Sequence, residues 1–468
     1  MYALAKPQSS VWARFIIDRL LKSPSKAFAI AFIYVTLPKF LAKIYQSARS
    51  KESKGLLSAL LKISANALHP GKFPMFATKL VLGINVLEPF FSRVLPGQKY
   101  KRVVPFASAL LASLASSLLT FPDYQHHIIS KNRFYTLDMT LLLFVRATDT
   151  VLSTILAPHT PAWMYHFNDV IFFNACTSVI MFCWFYYPER LPPSYRDWIT
   201  SAANMDNGLV KALNMLHHEK IRYGECSPNG EERVLVEAAE KFGMHPDVGD
   251  LSKTIPIPCA LVHSNISDSC EVNALWRFAR GLRFGLSLYM PLNALIFGIK
   301  LAMNPKNRSR KSMITNIIRS IQSSLRSSSF LATFIALNWY GVCLVRTRLG
   351  PRFLTPYFGI SYKKFDSLYA VACGSFIAGL SSIVERKQRQ KELALFCAPK
   401  ALSALLPPIS KPQFDLGDRE TKEPVDNKAE LEIEALVFSF SFAVLVAFSK
   451  QNPEKIRGIF GKGLQQVF

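Results

Sequence analysis

Charge is what this sequence has little of. Only 19% of its 468 residues are Asp, Glu, Lys or Arg, and acids are the scarcer kind, 32 against 56 Lys and Arg. A water-soluble chain of this size carries roughly 25% charged residues, so a soluble globular domain is excluded. The 50% apolar content excludes a long disordered chain as well. Catalytic signatures are missing too: there is no GxSxG, Walker loop, HExxH or dinucleotide fingerprint. The eight Cys include no C-x-x-C pair, and Cys176, Cys183, Cys343 and Cys373 lie inside apolar runs. No secreted disulfide framework is implied, and a reduced compartment is expected. The first 26 residues form a basic amphipathic stretch with Trp12, Phe15, Ile16 and Leu20 on one side, without the apolar core and small-residue cleavage site of a signal peptide. The final Gln-Val-Phe is no receptor-read address.

What is present is a series of apolar blocks of about 20 residues, the length a helix needs to cross the hydrocarbon core. Ten are expected, near 27–45, 75–95, 103–121, 134–157, 169–187, 281–303, 328–347, 365–384, 391–409 and 432–449. Their continuous apolar character specifies helices, since barrel strands alternate. The expectation is therefore an all-α, multi-pass integral membrane protein with about ten transmembrane helices in two internal repeats. The organisation reads as a basic segment at 1–26, a membrane repeat at 27–198, a polar linker with a Cys/His segment at 199–270, and a second membrane repeat at 271–461. Polar character sets in at 188, and the stretch 188–270 carries an acidic patch (Glu231, Glu232, Glu237, Glu240) and reads as a solvent-side connection with two short helices. The excess Lys and Arg sit between apolar blocks, where they face anionic lipid headgroups. A nucleic-acid binder would instead gather them on one face or groove, so membrane lipids are the expected partners and nucleic acid is not.

The two groups of five match in order. At an offset near 255, Tyr34 and Leu37 fall on Tyr289 and Leu292, Phe76-Ala77-Thr78 on Leu331-Ala332-Thr333, and Arg93 on Arg348. LDMTLLLFVRA at 137–147 lies on KELALFCAPKA at 391–401, and Pro188-Glu189-Arg190-Leu191 on Pro453-Glu454-Lys455-Ile456. Charged and loop positions take part, which apolar resemblance does not explain. Five spans per repeat would invert the second repeat, as in many transporters. A leading helix lying in the interface would leave four spans and parallel repeats. Basic loops occur on both faces, so loop charge does not choose between these arrangements.

Ionisable residues at bilayer depth are functional candidates because burial there is costly unless they are paired or face a wet cavity. Asp138, Arg146 and Asp149 share one apolar helix, with Arg146 and Asp149 one turn apart. Glu392 and Lys400 repeat the Asp138/Arg146 spacing in the other half, and Lys79 and Glu88 form a further candidate pair. The competing reading places Asp138 and Glu392 at helix N-termini, favoured by the dipole, with the cations reaching outward. Ser108, Ala112 and Ser116, then Ala370, Gly374 and Ala378, set small residues at four-residue steps, a pattern for close helix packing. Cys226, Cys259, His263 and Cys270 offer three thiols and an imidazole, yet their irregular spacing reads as a packed or capping turn more than a zinc site. No metal, cofactor or catalytic residue is expected. Nine His residues are dispersed, and only His126-His127 and His217-His218 are adjacent, which makes no di-iron box.

CALVHSNISDSC at 259–270, LSLYMPLNALI at 286–296, SSSFLATF at 327–334, CLVRTRLG at 343–350 and VERKQRQKELALFCAPKALSALL at 384–406 together resemble the transmembrane protein 135 family. In that family a Cys-rich segment precedes a Tyr-x-Pro-Leu helix, a Ser-rich Phe-Leu step and a basic Glu-Arg-Lys loop. It is related to the peroxisomal membrane protein 24 group and distantly to mitochondrial inner-membrane import translocase subunits. The resemblance covers roughly 259–460, and ERLPPSYRDWI at 189–199 looks like a Leu-x-Pro-Ser-Tyr run near the end of animal members. The Cys/His segment is central here and N-terminal there, so the halves are in swapped order or the chain is extended by a repeat. The resemblance implies a non-enzymatic peroxisomal or mitochondrial membrane protein linked to lipid handling and organelle dynamics. Two functions remain open: transport of a lipid or metabolite, or a scaffold recruiting organelle-division or import factors through 188–270.

Overall fold

The computed structural model describes residues 16–50, 55–95, 103–129, 133–156, 161–225, 230, 233–303, 310–406, 428–456 and 458–468. Trp12, Phe15, Cys226, Glu231 and Glu232 lie outside them. All regular structure among the described residues is helical: α1 Ser23–Ser50, α2 Leu56–Ala67, α3 Phe73–Val94, α4 Val104–Ile129, α5 Arg133–Leu156, α6 Ala162–Tyr186, α7 Pro193–Ala203, α8 Asn207–His217, α9 Arg233–Lys241 and α10 Cys259–Val262. There follow α11 Cys270–Met303, α12 Arg310–Leu344, α13 Ala370–Gly379, α14 Lys387–Leu405, α15 Lys428–Gln451 and α16 Gly458–Val467. Eight helical segments among the described residues are long and apolar enough to cross a membrane: those built on α1, α3, α4, α5, α6, α12, α13 and α15. The two expected spans outside that set fall on α11, whose first half carries Arg277, Arg280 and Arg283, and α14, which carries Lys387, Arg389, Lys391, Glu392 and Lys400.

The chain packs as two compact units, and these do not follow the order of the sequence. The first is Met1–Thr160 with Arg419–Phe468; the second is Pro161–Asp418. In the first unit α3 packs on α1 and α4, and α15 lies against α4 and α5. Its core is aromatic: the Phe121 and Phe438 rings stack at 3.9 Å, and those of Phe76 and Tyr124 at 4.3 Å. Ser116 Oγ donates to the Leu80 carbonyl at 2.8 Å, where a Cβ on Gly83 would collide with it. In the second unit α12 packs on α11 and α13, and α6 on α13 and α14.

Both units bury small residues and expose large apolar ones. Ser108, Ala112, Ser116, Ala370, Gly374 and Ala378 are all buried, as are Ser113, Ser117, Ser328 and Ser375. Leu119, Phe144, Ile155, Phe376, Ile383 and Phe440 are exposed. Water would oppose that arrangement; lipid tolerates it, because association there depends on close backbone approach. Leucine outside and serine inside is the composition of a membrane bundle.

The segment 188–270 carries four short helices, where two were expected, and is packed against long ones. Its short helices α7 to α10 belong to the second unit and bury their apolar faces, with Leu209, Leu213, Leu216, Leu235 and Ala239 in its core. Asp206 caps α8 by accepting from the Gly208 amide at 2.8 Å, and His217 donates from Nδ1 to the Ser367 carbonyl at 2.7 Å. The apolar spacing of 209–216 is helical but too short to span, which is why it reads as a linker in isolation; its partner surface comes from distant residues.

The close crossing of α12 and α13 yields a prediction. A Cβ on Gly374 would lie 2.7 Å from Val342 Cγ2 and 2.8 Å from the Asn338 carbonyl, whereas one on Gly298 meets nothing within 4 Å. Gly374→Ala should destabilise the detergent-solubilised protein by about 1–3 kcal/mol, and Gly298→Ala should leave it unchanged or slightly more stable. Thermal unfolding of the two variants checks this.

Candidate functional site

Among the described residues, a cluster of thiols and an imidazole in the second unit is built on α10, α11 and α12. Cys259 and His263 are one helical turn apart and so share a face. Ser264 and Asn265 then adopt left-handed backbone, φ 58° and 55°. That turn brings the chain back so that Cys270, the first residue of α11, joins them: the ligand atoms of Cys259, His263 and Cys270 all lie within 4.8 Å of one another. Asn265 holds the turn by donating to the Phe242 carbonyl at 2.9 Å. Cys343, near the C-terminal end of α12, completes the group with its Sγ 3.2 Å from His263 Nε2.

Protonation in this group is ordered by its geometry. His263 Nδ1 lies 2.7 Å from the Ser267 carbonyl. A carbonyl only accepts, so the proton sits on Nδ1 and Nε2 turns its lone pair toward the thiols. A hydrogen bond from Cys343 lowers the Cys259 thiol to about 6 against the effect of burial, with the Arg346 charge assisting. Burial, together with the charge on Cys259, pushes Cys270 up. An ionisable thiol beside an imidazole and further thiols is a donor set suited to a soft metal. The sequence reading grouped Cys259, His263 and Cys270, which the structure brings together, with Cys226, which lies outside the described residues, and it did not include Cys343. Nothing in local spacing joins Cys343 to the other three, because 73 or more residues separate them.

One turn beyond Cys343 lies a buried ion pair. Arg346 Nε is 2.5 Å from Asp366 Oδ1, with side chains 1% and 3% exposed. Tyr223 donates to Asp366 Oδ2 at 2.5 Å and accepts from the Ile257 amide at 3.2 Å. Arg346 also donates to the Ile257 carbonyl, and Tyr186 donates to the Asp366 carbonyl at 2.9 Å. Burial, with the Asp366 carboxylate beside it, pushes the Tyr223 phenol up and keeps it a donor. The node therefore ties α6, the 188–270 segment and the turn that follows α12 to one residue, Asp366, through its carboxylate and its carbonyl.

The intramembrane charges expected from sequence are distributed differently. Lys79 and Glu88 do not pair: Lys79 lies 3.6 Å from Asp123, while Glu88 takes Lys450 at 2.8 Å and Arg19 at 3.0 Å. Nine residues at about 100° each put Lys79 and Glu88 on opposite faces of α3. Asp138, Arg146 and Asp149 are half-buried along α5, and Glu392 and Lys400 along α14, with Lys400 Nζ 5.8 Å from the Tyr195 ring centre. The sequence reading missed Glu434, which accepts from Gln125 at 2.9 Å and Thr140 at 3.3 Å in the first unit. A carboxylate two residues inside an apolar block was the available signal.

Breaking the buried ion pair gives a measurable effect. Asp366→Asn leaves Arg346 buried without its anion and should cost about 3–5 kcal/mol. Tyr223→Phe removes one charge-assisted hydrogen bond and should cost about 1.5–3 kcal/mol. Denaturant unfolding in detergent, followed by tryptophan fluorescence, ranks the two. Comparison with family models, curated proteins and solved structures returns no match.

Proposed function

We propose that this protein is a non-enzymatic multi-pass membrane protein of peroxisomal or mitochondrial membranes that moves, or helps to move, a lipid or metabolite. The observation that carries the reading is the carboxylate Glu434 in the apolar helix α15, held by Gln125 and Thr140. Asp138 lies on the neighbouring helix α5. An ionisable group so placed is costly in lipid and is retained where it serves a pathway.

The arrangement has a counterpart in the second unit. The offset that sets Pro188 on Pro453 sets Asp169 on Glu434, and the one that sets Leu137 on Lys391 sets Asp138 on Glu392 and Arg146 on Lys400. Two carboxylates and one cation thus recur on α5 and α15 and on α14 and α6. The helices that follow this rule also pack alike: α15 lies against α4 and α5, and α6 against α13 and α14. Each unit is then four helices of one repeat completed by the fifth helix of the other. The turns after α6 and α15 support the duplication. Pro188–Arg190 and Pro453–Lys455 are both 3-10 turns, led by Tyr187 at φ −136°, ψ 56° and by Asn452 at φ −138°, ψ 63°.

The scaffold reading requires a segment at 188–270 free for partners. Its helices bury most of their apolar faces in the second unit, with Trp198 and Ile255 the large apolar side chains exposed among its described residues, so little of the segment is free for recruitment and transport is the better supported function. Glu434→Gln and Lys400→Met, expressed in cells lacking the protein, should reach normal abundance and location yet leave organelle lipid and metabolite composition at the level of the deletion. Mass spectrometry of purified peroxisomes and mitochondria reads the outcome. Variants that restore composition, or that lose activity only in step with abundance, would assign these charges a purely structural role.

A further inference from the structure

We infer that Cys259, His263, Cys270 and Cys343 form a four-ligand zinc site that fastens the short-helix segment of the second unit to α11 and α12. With Zn–S near 2.3 Å and Zn–N near 2.0 Å, neighbouring ligand atoms in a tetrahedral centre sit roughly 3.3–3.8 Å apart. The Cys259, His263 and Cys270 ligand atoms fall within 4.8 Å of one another, and Cys343 Sγ lies 3.2 Å from His263 Nε2. Closure around an ion needs side-chain adjustments, not backbone rearrangement. Three thiolates and an imidazole select zinc over the hard cations, which take oxygen. His263 is already in the ligating tautomer, its Nδ1–H held by the Ser267 carbonyl, the outer support that metal-bound histidines have.

A second observation points to a negatively charged centre at this place. Arg277 lies seven residues along α11 from Cys270, about two turns and so on the same face. Its side chain stands 3.9 Å over the ring of Trp339, which is one turn before Cys343 on α12. Arg277 is only 1% exposed, it donates to the Ala203 and Asn204 carbonyls, and among the described residues it has no carboxylate partner. A buried cation without an anion is strongly unfavourable. Arg346 is already matched by Asp366, so it leaves no spare acid. Zinc(II) with three thiolates and a neutral imidazole has a net charge of −1, and that charge balances Arg277. Binding releases the protons of the thiols that are not yet ionised and changes no oxidation state.

With four protein ligands the ion has no open position, so the site is structural, not hydrolytic. Its ligands come from α10, the first residue of α11 and the end of α12, elements that are far apart in sequence. The ion would hold the short helices in register with the Tyr223–Asp366–Arg346 node.

The test is the metal content of full-length protein purified in detergent without chelator, compared for wild type, Cys343→Ser and Cys226→Ser. About one zinc per chain is expected in wild type and in Cys226→Ser, and loss of the bound zinc in Cys343→Ser. Should Cys343→Ser fail to fold, cobalt(II) alone, added to the chelated wild type, reads the same ligands. The expected signature is strong thiolate-to-cobalt charge transfer with tetrahedral d–d bands, and iodoacetamide labelling of Cys259 and Cys270 that appears only after chelation. The inference is overturned by a wild type that takes up neither metal, by zinc retained in folded Cys343→Ser, by zinc lost in Cys226→Ser, or by a disulfide among Cys259, Cys270 and Cys343 in the protein as isolated.

Discussion

Inside a bilayer, apolar side chains gain nothing by leaving lipid for a neighbouring helix, and that constraint shapes both units. What holds helices together there is close approach and the pairing of polar groups that have no water to turn to. The interior accordingly contains Ser116 bonded to the Leu80 carbonyl, Gly341 against Gly374, and Ser327 donating to Glu385 at 2.6 Å. Leu119, Phe144, Ile155, Phe376 and Phe440 are turned outward. Aromatic stacking of Phe121 on Phe438 fills the remaining volume in the first unit, where α15 is embedded between α4 and α5.

The second unit adds a different kind of cohesion. Short helices of 9 to 11 residues such as α7, α8 and α9 are marginal by themselves. They persist because polar anchors join them to long helices: His217 to Ser367, Tyr223 to Asp366, and the carbonyls at the end of α7 to Arg277. Tyr223, Asp366 and Arg277 are buried and His217 half-buried, and an unmatched partner is expensive at low dielectric, so the anchors specify one arrangement more than they add stability. The thiol–imidazole group lies within this same set of anchors. Cys343 and Arg346 are three residues apart on the α12 side, and Ile257 and Cys259 two apart on the other.

Chain order and packing order differ, and the reason is visible in the two helices that cross over. The segment from Arg419 onward joins the first unit, while α6 joins the second. A swap of this kind leaves no trace in local hydropathy, because an apolar helix looks the same whichever neighbour it finds.

By itself the sequence determined that the chain is helical and apolar enough for a membrane, since length and hydropathy are local properties. It determined the small-residue stripes of α4 and α13, because a four-residue step is a helix face whatever packs on it. It also supplied Cys259 and His263, one turn apart. Only the tertiary structure decided that Lys79 and Glu88 face opposite ways to different partners, that 188–270 is folded against its unit, and that Cys343 joins Cys259, His263 and Cys270. Those facts depend on which distant residues meet. Pairings across 80 or 143 residues, such as Cys343 with His263 or Asp366 with Tyr223, are set by the packing of whole helices and not by any local pattern.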